Sequence, residues 1–173
     1  VYASQSHLPD LNAQIGAFVS NICFGGSDQI ERYCSMAVLH GDQMVAGTLY
    51  HNWHPESGVI ELTSASTDRR WLTRPVVRAM FHMAFDMVGA QLAVLRVSER
   101  NTDMVEIARR FGFRGVLIPR LRGRDEAEWL FTLPDNVWYD HPINNRKLRR
   151  IGVYTDEYEA AHAYIEAKRG IHT

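Results

Sequence analysis

The sequence predicts an α+β domain built on a mixed central sheet flanked by helices. Three observations lead there. Short strand patterns follow one another in hairpin order between residues 33 and 66. An amphipathic helix with a sharp start follows at Thr73, and an apolar strand, a short helix and a second hairpin close the pattern. Runs of strands interrupted by helices, rather than a strict strand–helix alternation, describe an α+β architecture.

In chain order, Leu11, Ile15, Phe18 and Val19 repeat at helical spacing, so residues 10–20 form the first helix, and the stretch from Asn21 to Asp28 with Gly25-Gly26 breaks it. Tyr33 to His40 and Met44 to Trp53 are strands around a Gly41-Asp42-Gln43 turn. After the turn at Pro55-Glu56-Ser57-Gly58, Val59 to Ser66 continues the meander. Thr73 is a suitable N-cap and Pro75 suits a first helical turn. Apolar residues at 76, 77, 80, 81, 84, 85 and 88 carry this second helix to Gly89. Leu92 to Val97 is nearly all apolar, the pattern of a strand buried on both faces. Asp103 to Phe111 forms a helix stopped by Gly112, and Arg114 to Leu121 with Glu128 to Leu133 make the closing hairpin. These elements define a domain over residues 1–133. Residues 134–173 form a C-terminal extension that begins irregularly and ends in a helix from Asp156 to Lys168.

The composition, 46% hydrophobic with a net charge of −1 over 173 residues, is that of a globular chain. No apolar run reaches membrane-spanning length, and no signal-peptide pattern opens the sequence, so a cytoplasmic location is expected. Cys23 and Cys34 have no zinc-ligand or disulfide-scaffold spacing. His51 and His54 lack an evident third ligand, so no metal is expected. Charge is unevenly distributed. Residues 1–68 hold seven acidic side chains and one basic one, Arg32, whereas residues 69–124 hold twelve arginines and four acidic side chains. Such a block marks a phosphate-rich ligand, a nucleic-acid face or a solvated surface. Against nucleic acid, no helix-turn-helix, RNA-recognition or zinc-finger pattern is present, and aromatics do not alternate with the arginines.

Three segments carry a family resemblance: Ala84-Phe85 followed by Gly89, then Val97-Ser98-Glu99-Arg100-Asn101, then Arg110-Phe111-Gly112-Phe113-Arg114-Gly115. In this order and spacing, over residues 33–133, the chain resembles the GNAT superfamily of acetyl-CoA-dependent N-acyltransferases. The branch it most resembles includes ribosomal-protein N-terminal acetyltransferases. The resemblance implies acetyl-CoA as cofactor and a primary amine of a peptide, small molecule or nucleobase as acceptor. It also implies a GNAT-like sheet in which Leu62, Thr63 and Ser64 offer backbone to the pantetheine arm.

The family's phosphate loop, Gln/Arg-x-x-Gly-x-Gly/Ala, aligns here with Arg70-Trp71-Leu72-Thr73-Arg74-Pro75, which has no glycine. The physics of a phosphate site persists at a helix N-terminus flanked by guanidiniums. Arg69, Arg70, Thr73 and Arg74 are therefore expected to bind the cofactor; the alternative is a plain helix start with exposed arginines. Asn101 either contacts the cofactor or caps the following helix. Glu61 is the candidate general base, or an ordinary solvent-facing strand residue. The family's acid, a Tyr four residues before Gly-Phe, falls on Ala108, so an acid must come from elsewhere, with Ser98, Tyr50 or water as candidates. These departures keep open a catalytically inactive acyl-CoA-binding or protein-interaction module. The tail helix is a candidate cover for the acceptor cleft or a homodimer contact.

Overall fold

A computed structural model describes residues 1–27 and 29–144. The expected tail helix, Asp156 to Lys168, lies outside the described residues. Among those residues a single seven-stranded sheet runs in the order β1-β2-β3-β4-β5-β7-β6. Its strands are β1 (Tyr2–Ser4), β2 (Tyr33–His40), β3 (Gln43–His54), β4 (Val59–Ser66), β5 (Leu92–Ser98), β6 (Arg114–Gly123) and β7 (Glu126–Pro134). The helices are α1 (Pro9–Phe24), α2 (Arg74–Phe81), α3 (Thr102–Phe111) and α4 (Asp135–Tyr139). Only β4 and β5 pair in parallel; every other neighbour pair is antiparallel. This is the mixed sheet expected of the sequence.

The two faces of the sheet are covered unequally. On one face α1 packs against β1–β4 through Ile15, Val19, Ala3, Ala37, Leu49 and Ala65. The other face carries the larger core, in which α2 and the helical turn that follows it, α3 and α4 bury Phe81, Phe85, Val105 and Trp138 over Leu62, Leu95, Val97 and Phe131. Strand β5 consequently differs from the expectation of two buried faces. Ala93, Leu95 and Val97 are buried, while Val94 is half-buried and Arg96 exposed, because the α1 layer is built on β1–β4.

Several element ends also differ from expectation, each for a local reason. Helix α1 runs through Asn21 to Phe24 and stops only at Gly25, which adopts φ 64; glycine takes this left-handed conformation without steric cost. Thr73 does occupy the N-cap of α2, but its side chain makes no capping hydrogen bond. Beyond Phe81 the helix continues as a π-helical turn, His82–Met87, before Gly89 at φ 78 ends it. Widening from i+4 to i+5 spacing disturbs the carbonyl ladder at the junction, and the Tyr50 hydroxyl donates to the Met80 carbonyl there at 3.0 Å. The boundary expected after Leu133 falls within β7, and Trp138, a few residues on, is fully buried.

Candidate functional site at the divergence of two strands

Strands β4 and β5 separate partway along their length. Their pairing runs from Val59↔Leu92 to Leu62↔Leu95 and then stops. Beyond it β4 stays paired with β3 as far as Ser66↔Ala46, and β5 stays paired with β7 as far as Ser98↔Glu128. Main-chain groups of Thr63–Ser66 thus lack a ladder partner on the β5 side. A cleft of about 2150 Å³ passes through the opening. Unpaired backbone in a sheet interior is a costly arrangement unless something else meets it. The Cys23 thiol, from the end of α1, reaches the Ser64 carbonyl at 3.7 Å; burial pushes this thiol up despite the Arg122 charge nearby.

Most of the residues selected from sequence meet here. Glu61, Leu62, Thr63, Ser64, Tyr50, Ser98, Arg69 and Asn101 all line the cleft. Arg70, Thr73 and Arg74 are not among its lining residues. The turn preceding α2 is organised by Asp68, whose carboxylate accepts the Arg70 N–H at 2.9 Å. That hydrogen bond, followed by the Arg70 guanidinium, holds the Asp68 carboxyl below the usual carboxylate range. Arg69 lies 3.5 Å from Asp103, with both side chains largely exposed, a geometry worth little in water.

The candidate catalytic groups differ in what already occupies them. Tyr50 is only 2% exposed, with its hydroxyl given to the Met80 carbonyl. Ser98 Oγ donates to the Glu126 carboxylate and accepts the Arg100 N–H at 3.1 Å. Asn101 Oδ1 accepts the Met104 N–H at 3.2 Å, the N-cap bond of α3. Glu61 lies on the α1 side of the sheet, with one carboxylate oxygen receiving the Asn52 amide at 2.9 Å.

Two features have no sequence signal of ordinary kind. His51 is 5% exposed, and its Nε2 lies 2.9 Å from Thr63 Oγ1. Burial lowers its pKa below the ordinary 6.5, outweighing the opposing effect of the Glu61 charge. On β5 and β7, Glu128 is 2% exposed and held by Arg96 at 2.6 Å and by Arg122 at 2.9 Å. Two guanidiniums around one carboxylate satisfy it in a position where an unpaired charge is prohibitive. In the sequence His51 stood out only as half of the His51/His54 pair, and the arginine excess was the only hint of the second. Among the described residues no three His, Cys, Asp or Glu side chains converge as a metal site, and no helix is long and apolar enough to cross a membrane.

No family model matches the sequence, and no curated protein does. Solved structures do match the fold. A probable acetyltransferase of the GNAT family from Chromobacterium violaceum has 24% identity and a TM-score of 0.53, covering 61% of this chain and 61% of that one. The dodecameric spermidine N-acetyltransferase of Vibrio cholerae has 12% identity and a TM-score of 0.55, covering 65% of this chain and 70% of that one. The chain therefore has the fold of the GNAT acetyltransferases and spans under two thirds of the Chromobacterium protein's length.

Proposed function

We propose that this chain binds acetyl-coenzyme A in the opening between β4 and β5 and transfers the acetyl group to a primary amine. The observation that carries this reading is the early end of the β4–β5 ladder at Leu62↔Leu95, with both strands still held by their other neighbours. An extended chain carrying amides, as the pantetheine arm does, suits the main-chain donors and acceptors of Thr63 and Ser64, just past the last paired residue Leu62. The residues present fit the remainder of the cofactor. Arg69 lies at the cleft, Arg70 and Arg74 flank it in sequence, and the first turn of α2 after Thr73 adds N–H groups without intrahelical partners. Asn101, beside the opening, would serve the same ligand while capping α3.

On the α1 side of the cleft Glu61 supplies a negative charge for a cationic acceptor. An amine acceptor also agrees with the spermidine N-acetyltransferase among the structures that share the fold. The resemblance to ribosomal-protein acetyltransferases adds peptide α-amines to the set to be tried. Bound acetyl-CoA supplies an activated thioester, so the residues here need mainly to orient the amine and remove its proton. A cytoplasmic setting suits such a cofactor.

Thermal denaturation with and without acetyl-CoA tests the reading. Binding to the folded state alone stabilises it by about 2.7 kcal/mol at a hundred times Kd, so the melting temperature should rise; no rise at millimolar cofactor would reject the site. Free-thiol release with polyamines, peptides and nucleobase amines then separates a transferase from an inert binder. The triple substitution Arg69→Ala, Arg70→Ala, Arg74→Ala should weaken acetyl-CoA at least about tenfold. Unchanged affinity would remove the phosphates from the 68–75 turn.

A further inference from the structure

We propose that His51, acting through the Thr63 hydroxyl, takes the proton that the acceptor amine must lose before it attacks. This rests on the acetyl-transfer reading above and adds a proton path to it.

The path lies at the edge of an irregularity in β3, which brings Asn52 onto the face that His51 already shares with β4. The pairing of β3 with β4 is regular down to His51↔Glu61, then slips before resuming at His54↔Val59. Within the slip Asn52 adopts φ 49, a left-handed backbone that asparagine tolerates better than most residues. Along a regular strand His51 and Asn52 would point to opposite faces. A bulge re-aims side chains, and here both consecutive residues reach the same face of β4. His51 Nε2 meets Thr63 Oγ1 at 2.9 Å, and Asn52 Nδ2 donates to Glu61 at 2.9 Å. Glu61 and Thr63 are two apart on one strand, so they share that face by alternation.

Position makes the pair useful. Thr63 is the first residue past the last β4–β5 pairing, so its hydroxyl stands where the cleft opens, with the nearly inaccessible imidazole behind it. Charged groups reach His51 from two strands: Glu61 on β4 and Arg96 on β5, the latter itself held by Glu128 of β7. Burial, joined by the Arg96 charge, outweighs the opposing Glu61 charge and Asn52 hydrogen bond, and the imidazole is therefore neutral near pH 7. With the ring proton on Nδ1, Nε2 accepts the Thr63 hydroxyl proton while Thr63 Oγ1 receives one from the ammonium. The nitrogen keeps its electron pair and His51 becomes the cation. Glu61, steadied by Asn52, faces the ammonium before the transfer and the imidazolium after it.

The test is the pH dependence of acetyl transfer in the full chain, measured by thiol release with whichever amine the parent turns over. In His51→Gln, a side chain that hydrogen-bonds but does not titrate near neutrality, kcat/KM at pH 7 should fall roughly a hundredfold. Its acid limb should move up toward the pKa of the amine itself. Thr63→Val should reproduce that profile, Thr63→Ser should recover most of the loss, and the double variant should be no worse than either single one. The KM for acetyl-CoA should stay within about twofold, which separates loss of the proton path from loss of fold or cofactor site. A His51→Gln enzyme with the parental pH profile, or a Thr63→Ser enzyme as impaired as Thr63→Val, overturns the path and leaves acetyl transfer intact. A parent chain that binds acetyl-CoA yet releases thiol with no amine overturns the transfer reading together with the path.

Discussion

His51 and His141 are shifted in the same direction by burial in different places. His51 lies behind Thr63 under the α1 face, while the His141 ring stacks on Phe111 with centroids 4.3 Å apart. Burial lowers both below the ordinary 6.5, with the Phe111 main chain opposing it at His141. The sign for stability follows from linkage. Between the depressed folded values and the unfolded value of 6.5, the unfolded chain holds more protons. Stability is therefore complete above about pH 6.5 and declines as pH falls from there toward the folded pKa values. Melting temperatures at constant ionic strength should drop across that window. The double substitution His51→Gln, His141→Gln should flatten the drop, and an equally steep drop in that variant would contradict the assignment. Only part of this was legible in the sequence. Glu61 and Thr63 share a face by counting alternate residues, and His51 joins them through its regular pairing with Glu61; it is Asn52, turned to the same face by the slip that follows, that leaves no periodic trace.

At the scale of elements, the turn from α3 into β6 shows why one motif was readable. Gly112 has φ 105, a left-handed end to α3 that a β-carbon would strain. Gly115 serves a different purpose: a β-carbon there would stand 2.3 Å from Phe131 Cε1, so β6 can lie close over that buried ring only without a side chain. Gly115→Ala should cost about 1–3 kcal/mol in urea denaturation, and an unchanged midpoint would show that Phe131 can yield. These glycines were visible because each is forced by local geometry. The π-helical turn at His82–Met87 was not, since six residues are too few to separate its period from that of an α-helix. Nor were the three-residue β1 and five-residue α4, which are too short to show any period. Edge strand β6 is also protected, in ways of which the sequence shows only Pro119. Pro119 interrupts its donors, its register with β7 slips between Ile118 and Gly123, and Arg120 sits at φ 61; each discourages pairing with another chain.

For the molecule as a whole, the decisive residue lies past the expected domain end. Trp138 is 0% exposed and packs near the rings of Phe81, Phe85 and Phe111, with centroids 5.2, 6.4 and 6.3 Å away. It joins α2, its π-helical continuation and α3 into one core, and Arg78 fastens the chain just beyond it by donating to the Ile143 carbonyl at 2.6 Å. Trp138→Ala should cost about 3–5 kcal/mol, read as a shift in the chemical-denaturation midpoint. A cost under about 1 kcal/mol would mean that this core closes without it. The order of strands and helices was legible because each long element has its own period. How far the core extends was not, because a lone Trp after Pro134 gives no sign of what it touches.

The ending of the β4–β5 ladder has a mechanical side. One plate of strands, β1 to β4, is riveted to another, β5 to β6, by pairings that stop at Leu62↔Leu95. That seam has four paired residues against seven in the ladder on either side of it, so it has the fewer main-chain ties. A molecule lodged against Thr63–Ser66 and spanning to β5 acts as a splint across the seam. Its effect on rigidity would then reach both plates, well beyond the few residues it touches.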